Sequence, residues 1–126
     1  MGEPKAPYWI LYIDDEIAQC RMVGDFFTQH GIDVMFAFSV PMAKEILETL
    51  IPDLVFLDLR MPEMHGREFL HFLARKGMEI PVFVITGFPE DIPDLEEEAF
   101  EIQGFFTKPV KLEELFQETK KILKLA

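Results

Sequence analysis

One cysteine, one tryptophan and twelve basic residues are all that this 126-residue chain has of those types. A single thiol, Cys20, excludes an internal disulfide and fits a reducing compartment. With 23 acidic residues against the twelve basic ones the formal net charge is −11, so the chain repels nucleic-acid phosphates and anionic membrane surfaces, and neither is expected as a direct partner. No apolar run approaches the length of a membrane-spanning helix, and Met1-Gly2-Glu3-Pro4-Lys5 lacks the apolar segment of an export signal. A cytoplasmic location is expected. Internal repeats, low-complexity tracts and linkers are also missing, and the length suits one domain with one core.

Against these absences stand five short apolar runs. The central one, Leu54-Val55-Phe56-Leu57, passes into Asp58 and then Leu59-Arg60-Met61-Pro62. A run apolar at every position reads as a strand buried on both faces, so Asp58 falls where a central strand ends and the backbone turns to solvent. Residues 1–7, with two prolines, read as a loose lead-in, and residues 8–126 as the domain. Tyr8 to Ile13 is a first strand ending at Asp14-Asp15-Glu16. Ile17, Cys20, Val23 and Phe27 then follow at helical spacing, with Gly31 at the helix end. Val34 to Phe38 reads as the second strand. Ser39 caps a helix that carries Pro41 in its first turn and Ala43, Ile46, Leu47 and Leu50 as its inward stripe. Beyond the loop Met61 to Gly66, Phe69, Leu70 and Leu73 mark a helix that stops at Gly77. Pro81 to Ile85 is the fourth strand. Pro89 and Pro93 predict a fourth helix that begins late and is short, with Leu95, Ala99 and Ile102 facing in. Gly104 to Thr107 is the fifth strand, and Leu112, Leu115, Phe116, Thr119, Ile122 and Leu123 form the clearest helical stripe.

Strands that alternate with helices and are apolar throughout predict an α/β fold: a five-stranded parallel sheet, helices on both faces, doubly wound in the flavodoxin-like order 2-1-3-4-5. The carboxyl ends of its strands then gather Asp14, Asp15, Asp58, Thr86 and Lys108 along one edge. Three close carboxylates raise one another's proton affinity, which a divalent cation relieves, and hard oxygen ligands favour Mg²⁺. Lys108 adds a point charge suited to an anion and Thr86 a hydroxyl donor, the parts that phosphoryl transfer requires, with Asp58 as nucleophile. Each residue also has a plainer reading: the Asp14-Asp15 pair as a helix cap with a first-turn acid, Thr86 as a strand end, Lys108 as a solvated cation. Their joint placement at four strand ends favours the chemical one.

Four blocks in order, Tyr12-Ile13-Asp14-Asp15-Glu16, Leu57-Asp58-Leu59-Arg60-Met61-Pro62-Glu63-Met64-His65-Gly66, Ile85-Thr86-Gly87 and Thr107-Lys108-Pro109, resemble the receiver domain of two-component response regulators, of the chemotaxis-regulator kind. The similarity covers roughly residues 8 to 124. It implies a signalling receiver, not an enzyme in the ordinary sense, that assists its own phosphorylation and dephosphorylation. In that family's terms Asp58 is the phosphoacceptor, Asp15 a direct Mg²⁺ ligand, Asp14 a ligand acting mainly through water, and the Arg60 backbone carbonyl the remaining protein ligand. Thr86 and Lys108 bind the phosphoryl group and report it, and Phe105 is the aromatic switch, with simple core packing as its plainer reading. The resemblance also implies a cis peptide at Lys108-Pro109. Arg60 and Phe88, two residues past Asp58 and Thr86, take positions that flank the approach of water to the acyl phosphate.

The implied phosphodonor is a histidine kinase or a histidine phosphotransfer protein, and the implied output is a change in the surface of helix four, strand five and helix five. Pro93 and Glu96-Glu97-Glu98 set the fourth helix apart from the family's usual pattern. Alternatives are a phosphotransfer relay, the isolated receiver of a larger regulator or hybrid kinase, a phosphate-free binding module, and an Asp-nucleophile phosphatase. The last usually carries a general-acid Asp where this chain has Arg60, and the binding module usually lacks an acid or the lysine that are present here.

Overall fold

The computed structural model describes residues 8–61, 65–98 and 100–125. In chain order its elements are β1 (Tyr8–Ile13), α1 (Ile17–Gln29), β2 (Ile32–Ala37), α2 (Val40–Ile46), β3 (Leu54–Asp58), α3 (Arg67–Lys76), β4 (Val82–Thr86), α4 (Asp91–Glu97), β5 (Gly104–Thr107) and α5 (Leu112–Leu123). The strands form one parallel sheet in the order β2-β1-β3-β4-β5, the doubly wound arrangement predicted from the sequence.

Successive side chains along a strand point to opposite faces, and here helices cover both. Leu11, Ile13, Val55, Leu57, Val82 and Val84 pack with Val40, Ala43, Phe69, Leu73 and Leu95, so α2, α3 and α4 close one face. Ile10, Tyr12, Leu54, Phe56, Phe83 and Ile85 pack with Cys20, Val23, Phe27 and Leu115, so α1 and α5 close the other. Burial on both faces is why β1, β3 and β4 are apolar nearly throughout instead of at every second position, whereas the half-buried edge strand β2 admits Asp33. The α1/α5 face is built largely from phenylalanine: Phe56 stacks on Phe83 with centroids 5.6 Å apart, and Phe83 meets Phe106 at 5.5 Å. Such ring pairs each contribute about 0.5–1.5 kcal/mol beyond their buried area.

Local signals set the helix ends. Met42 N donates to Ser39 Oγ at 3.2 Å, satisfying one of the free amides of the first turn of α2, where Pro41 has no amide to lose. Gly77, at φ 66, closes α3 in a left-handed conformation that costs glycine little. Gly66 answers a different demand. Its amide donates to Leu59 O at 2.7 Å, and a Cβ there would lie 2.7 Å from Asp58 O and 3.0 Å from Leu59 Cα. The turn before α3 is thereby pressed against the strand end that carries Asp58.

Several boundaries differ from expectation. β2 begins at Ile32 and ends at Ala37, leaving Phe38 exposed outside the strand. Ile17 keeps helical spacing with Cys20 but is 56% exposed, because it opens α1 beyond the end of β1, where no strand lies beneath it. α2 ends at Ile46, and Leu50, half-buried, follows in a tightened turn. β4 runs from Val82 to Thr86, one residue later at each end than the expected Pro81 to Ile85. α4 begins at Asp91, earlier than its prolines suggest: Pro93 sits in the first turn, where an amide has no intrahelical partner in any case. Ile102 lies outside that helix, in the segment before β5, yet still packs against the α2/α3/α4 cluster. The lead-in at residues 1–7, Pro62 and Ala99 lie outside the described residues.

Candidate functional site at the carboxyl edge of the sheet

Backbone bonds continue the ladder past the strand ends and fix the site's frame. Asp14 N donates to Ala37 O at 3.0 Å, Leu59 N to Ile85 O at 2.9 Å, and Lys108 N to Thr86 O at 2.9 Å. Asp14, Asp58, Thr86 and Lys108 therefore line up along one edge, as the strand order requires.

Asp14 is fully buried and Asp58 is 3% exposed, while Asp15 is exposed. One carboxylate oxygen from each meets the other two within 4.8 Å. Asp14 Oδ1 accepts from Glu16 N at 2.9 Å, and among the described residues Asp14 Oδ2 has no hydrogen-bond partner. Asp58 Oδ1 accepts from Arg60 N at 3.3 Å, and its Oδ2 accepts from Lys108 Nζ at 3.0 Å. The same ammonium lies 3.8 Å from Asp14 Oδ2 and 3.4 Å from Glu16 Oε1. Glu16, the last of the acidic run after β1, thus joins the cluster without having been singled out from the sequence. The Lys108-Pro109 peptide is cis.

One ammonium beside four carboxylates leaves an excess of negative charge. Burial pushes the Asp14 carboxyl up to about 7; the Glu16 amide opposes the rise, Asp58 adds to it and Lys108 opposes it. Asp58 is also raised by burial, which outweighs the Lys108 contact that pulls the other way. For Lys108, burial works against the ammonium, but Asp58, Asp14 and Glu16 raise its pKa on balance. Beneath the cluster, the buried Cys20 thiol donates to Asp14 O at 3.5 Å, and burial pushes it up to about 12, which favours the un-ionised thiol. The hard-oxygen donor set, with a buried and unsatisfied carboxylate oxygen in it, fits a small divalent cation such as Mg²⁺.

The cluster opens into a depression of about 480 Å³ lined by Asp15, Glu16, Asp58, Arg60, Met61, Gly87, Phe88 and Lys108. Arg60 and Phe88 meet there, the guanidinium Cζ 3.8 Å from the ring centroid, and Phe88 is 44% exposed. The Arg60 fork does not point freely into the depression. Nε and Nη2 donate to Asp91 Oδ2 and Oδ1, both at 2.8 Å, and this contact holds the Asp91 carboxyl below the usual range. Buried Thr86 accepts from Phe88 N at 3.0 Å, and its hydroxyl lies 3.4 Å from both Phe88 O and Asp91 Oδ2. Asp91 is a second site residue that the sequence reading missed. Phe105 stands apart from the carboxylates: it pairs with Val84, is half-buried, and lines a groove of about 450 Å³ between β5 and α5.

A model of the response regulator receiver domain matches residues 10–120, nearly the whole of this sheet and its helices. The chain belongs to the response regulator receiver domain family. Among curated relatives the receiver is 33% identical over 117 residues to the transcriptional regulatory protein CiaR of Streptococcus pneumoniae, covering 91% of this chain and 51% of that protein. The chain spans no more than about half the length of the curated relatives it matches. Among solved structures, a CheY-like receiver domain protein from Methanospirillum hungatei superposes with a TM-score of 0.85 at 20% identity, covering 94% of this chain and 95% of that one. The response regulator TrrA of Thermotoga maritima, solved in complex with Mg²⁺ and BeF, superposes at 0.80 with 23% identity, covering 91% and 98%. At such identities the likeness bears on the fold. The receiver is a signalling domain, and among its described residues no helix is long and apolar enough to cross a membrane.

Proposed function

We propose that this receiver is a phosphoacceptor switch in which Asp58 takes a phosphoryl group from a phosphohistidine of a histidine kinase or a histidine phosphotransfer protein. The observation that carries this reading is the 3.0 Å contact of Asp58 Oδ2 with Lys108 Nζ inside the Asp14, Asp15 and Asp58 cluster. Asp14, Asp15, Asp58 and the backbone carbonyl of Arg60 would hold Mg²⁺, which when bound neutralises charge on the phosphoryl oxygens. An Asp58 oxygen attacks phosphorus, the bond from phosphorus to the histidine nitrogen breaks, and its electron pair stays with the imidazole. The product is an acyl phosphate.

Lys108 stands beside the nucleophile before the reaction and pairs with the phosphoryl oxygens after it. Thr86 turns its hydroxyl from Phe88 and Asp91 toward the new oxygens. Thr86 follows Val82 and Val84 on the α2/α3/α4 face, against which Phe105 also packs, so a move of Thr86 frees or fills the space beside that ring. The populations of two α4–β5–α5 surfaces then shift, and a downstream protein reads the difference.

Intact-mass analysis with a small phosphodonor, with and without Mg²⁺, tests the reaction. Wild type gains one phosphoryl group only with Mg²⁺ and Asp58→Asn gains none; equal labelling of the two proteins would sink the assignment.

A further inference from the structure

Arg60 is tied to the site by its backbone, whose amide donates to Asp58 Oδ1, and to α4 by its side chain, whose fork grips Asp91. Asp91 is the first residue of α4, and its Oδ2 also lies 3.4 Å from the Thr86 hydroxyl. One carboxylate therefore joins the loop after β3, the end of β4 and the start of α4. Its side chain is 15% exposed against 46% for Arg60, so the acid is the better enclosed partner.

A guanidinium takes a carboxylate or a phosphoryl group through the same pair of N–H donors, and a hydroxyl has one proton to give. Whatever occupies the Arg60 fork and the Thr86 hydroxyl in the resting protein competes with a phosphoryl group on Asp58. We infer that Asp91 is a positioning residue for the phosphoryl site: it holds the Arg60 fork away from Asp58 and releases it when a phosphoryl group arrives, which passes occupancy of the site to α4. This rests on the reading of Asp58 as phosphoacceptor. The release has a physical consequence at the fold level, because α4 loses the contact that fixes its first residue.

The test is calorimetric titration of the Mg²⁺-loaded protein with beryllofluoride. Wild type is compared with Asp91→Asn, with Asp94→Asn as a control that removes the same charge from an exposed position in the same helix, and with Asp91→Asn in an Arg60→Gln background. Freeing the fork tightens beryllofluoride binding about fivefold, or about 1 kcal/mol at 1.4 kcal/mol per factor of ten. Asp94→Asn leaves the affinity at the wild-type value, and the gain vanishes in the Arg60→Gln background. A role in folding alone would loosen binding or leave it unchanged, not tighten it.

Equal affinity in wild type and Asp91→Asn overturns the inference, as does an equal gain in Asp94→Asn or a gain that survives without Arg60. Should Asp91→Asn not fold, Arg60→Gln breaks the same ion pair from the other side. Amide exchange in the first turn of α4 then rises in the unliganded protein, and unchanged exchange overturns the inference. Wild type that binds no beryllofluoride, or binds it as well after Asp58→Asn, refutes the phosphoacceptor reading itself, a result distinct from these.

Discussion

Replacing Asp14 with asparagine should make the metal-free protein more stable at pH 8 and weaken its response to Mg²⁺. Asp14 is fully buried, and its carboxyl is raised from an ordinary 3.8 to about 7, first by burial. The folded protein holds this proton more tightly than the unfolded chain does. The contribution of Asp14 is therefore most favourable below the unfolded value and is lost as pH climbs from about 4 to about 7, above which it stays lost. At about 1.4 kcal/mol per pH unit the span sets a ceiling of about 4 kcal/mol, and relaxation of the surrounding protein around the charged carboxylate brings the effect to about 2 kcal/mol. At about 4 °C per kcal/mol for a domain of this size, Asp14→Asn should melt about 8 °C higher than wild type at pH 8. The two should converge near pH 4. Circular-dichroism melts in a chelator at both pH values measure the difference directly, and because the other acids are common to both proteins their repulsion cancels. Melting temperatures that differ by the same amount at both pH values, or a variant less stable at pH 8, would refute the account of Asp14 as a buried charge awaiting a cation.

Mg²⁺ affinity should rise with pH through neutrality, because a ligand that holds a proton until about pH 7 must release it. Calorimetry should find Asp15→Asn more damaging to that affinity than Asp14→Asn, and indistinguishable values would count against the division of roles. Gly66→Ala forces a methyl group to within 2.7 Å of Asp58 O and should cost about 1–3 kcal/mol in urea unfolding, with slower phosphorylation because the nucleophile's strand end shifts. Arg60 and Phe88 meet on the wall of the depression; if they shield the acyl phosphate from water, loss of acid-labile phosphate should quicken about tenfold in the Arg60→Asn, Phe88→Ala double variant, or about 1.4 kcal/mol. Equal rates in wild type, both single variants and the double variant would show that neither residue guards the site.

The sheet and the carboxylate edge were legible because they depend on long-range order that a simple pattern encodes. Strands buried on both faces must be apolar at every position, and a parallel sheet with right-handed crossovers leaves few ways to arrange five of them. Asp58 and Lys108 stand fifty residues apart, yet each ends a strand, so the topology alone brings them to one edge. Helix ends were less legible where a short-range rule has a positional exception. Pro93 argues against a helix except in its first turn, where it stands. Ile17 satisfies a helical stripe, but the stripe extends past the sheet that would cover it. Asp91 could not be singled out at all. It sits in a stretch with Glu90, Asp94 and Glu96 to Glu98, any of which has the same chemistry, and only the packing of the loop after β3 against α4 selects it as the partner of Arg60. Glu16 had a signal in its place directly after Asp14-Asp15, though nothing in the run tells which acid reaches the lysine.

The central claim is that Asp58, and no other acid in the cluster, carries the phosphoryl group. Borohydride reduction of the phosphorylated protein followed by peptide mass mapping tests it most directly, because an acyl phosphate is reduced to an alcohol while free carboxylates are untouched. The account predicts homoserine at position 58 and unmodified aspartate at positions 14 and 15. Homoserine at either of those positions, or none at 58 in protein shown by intact mass to carry phosphate, would contradict it.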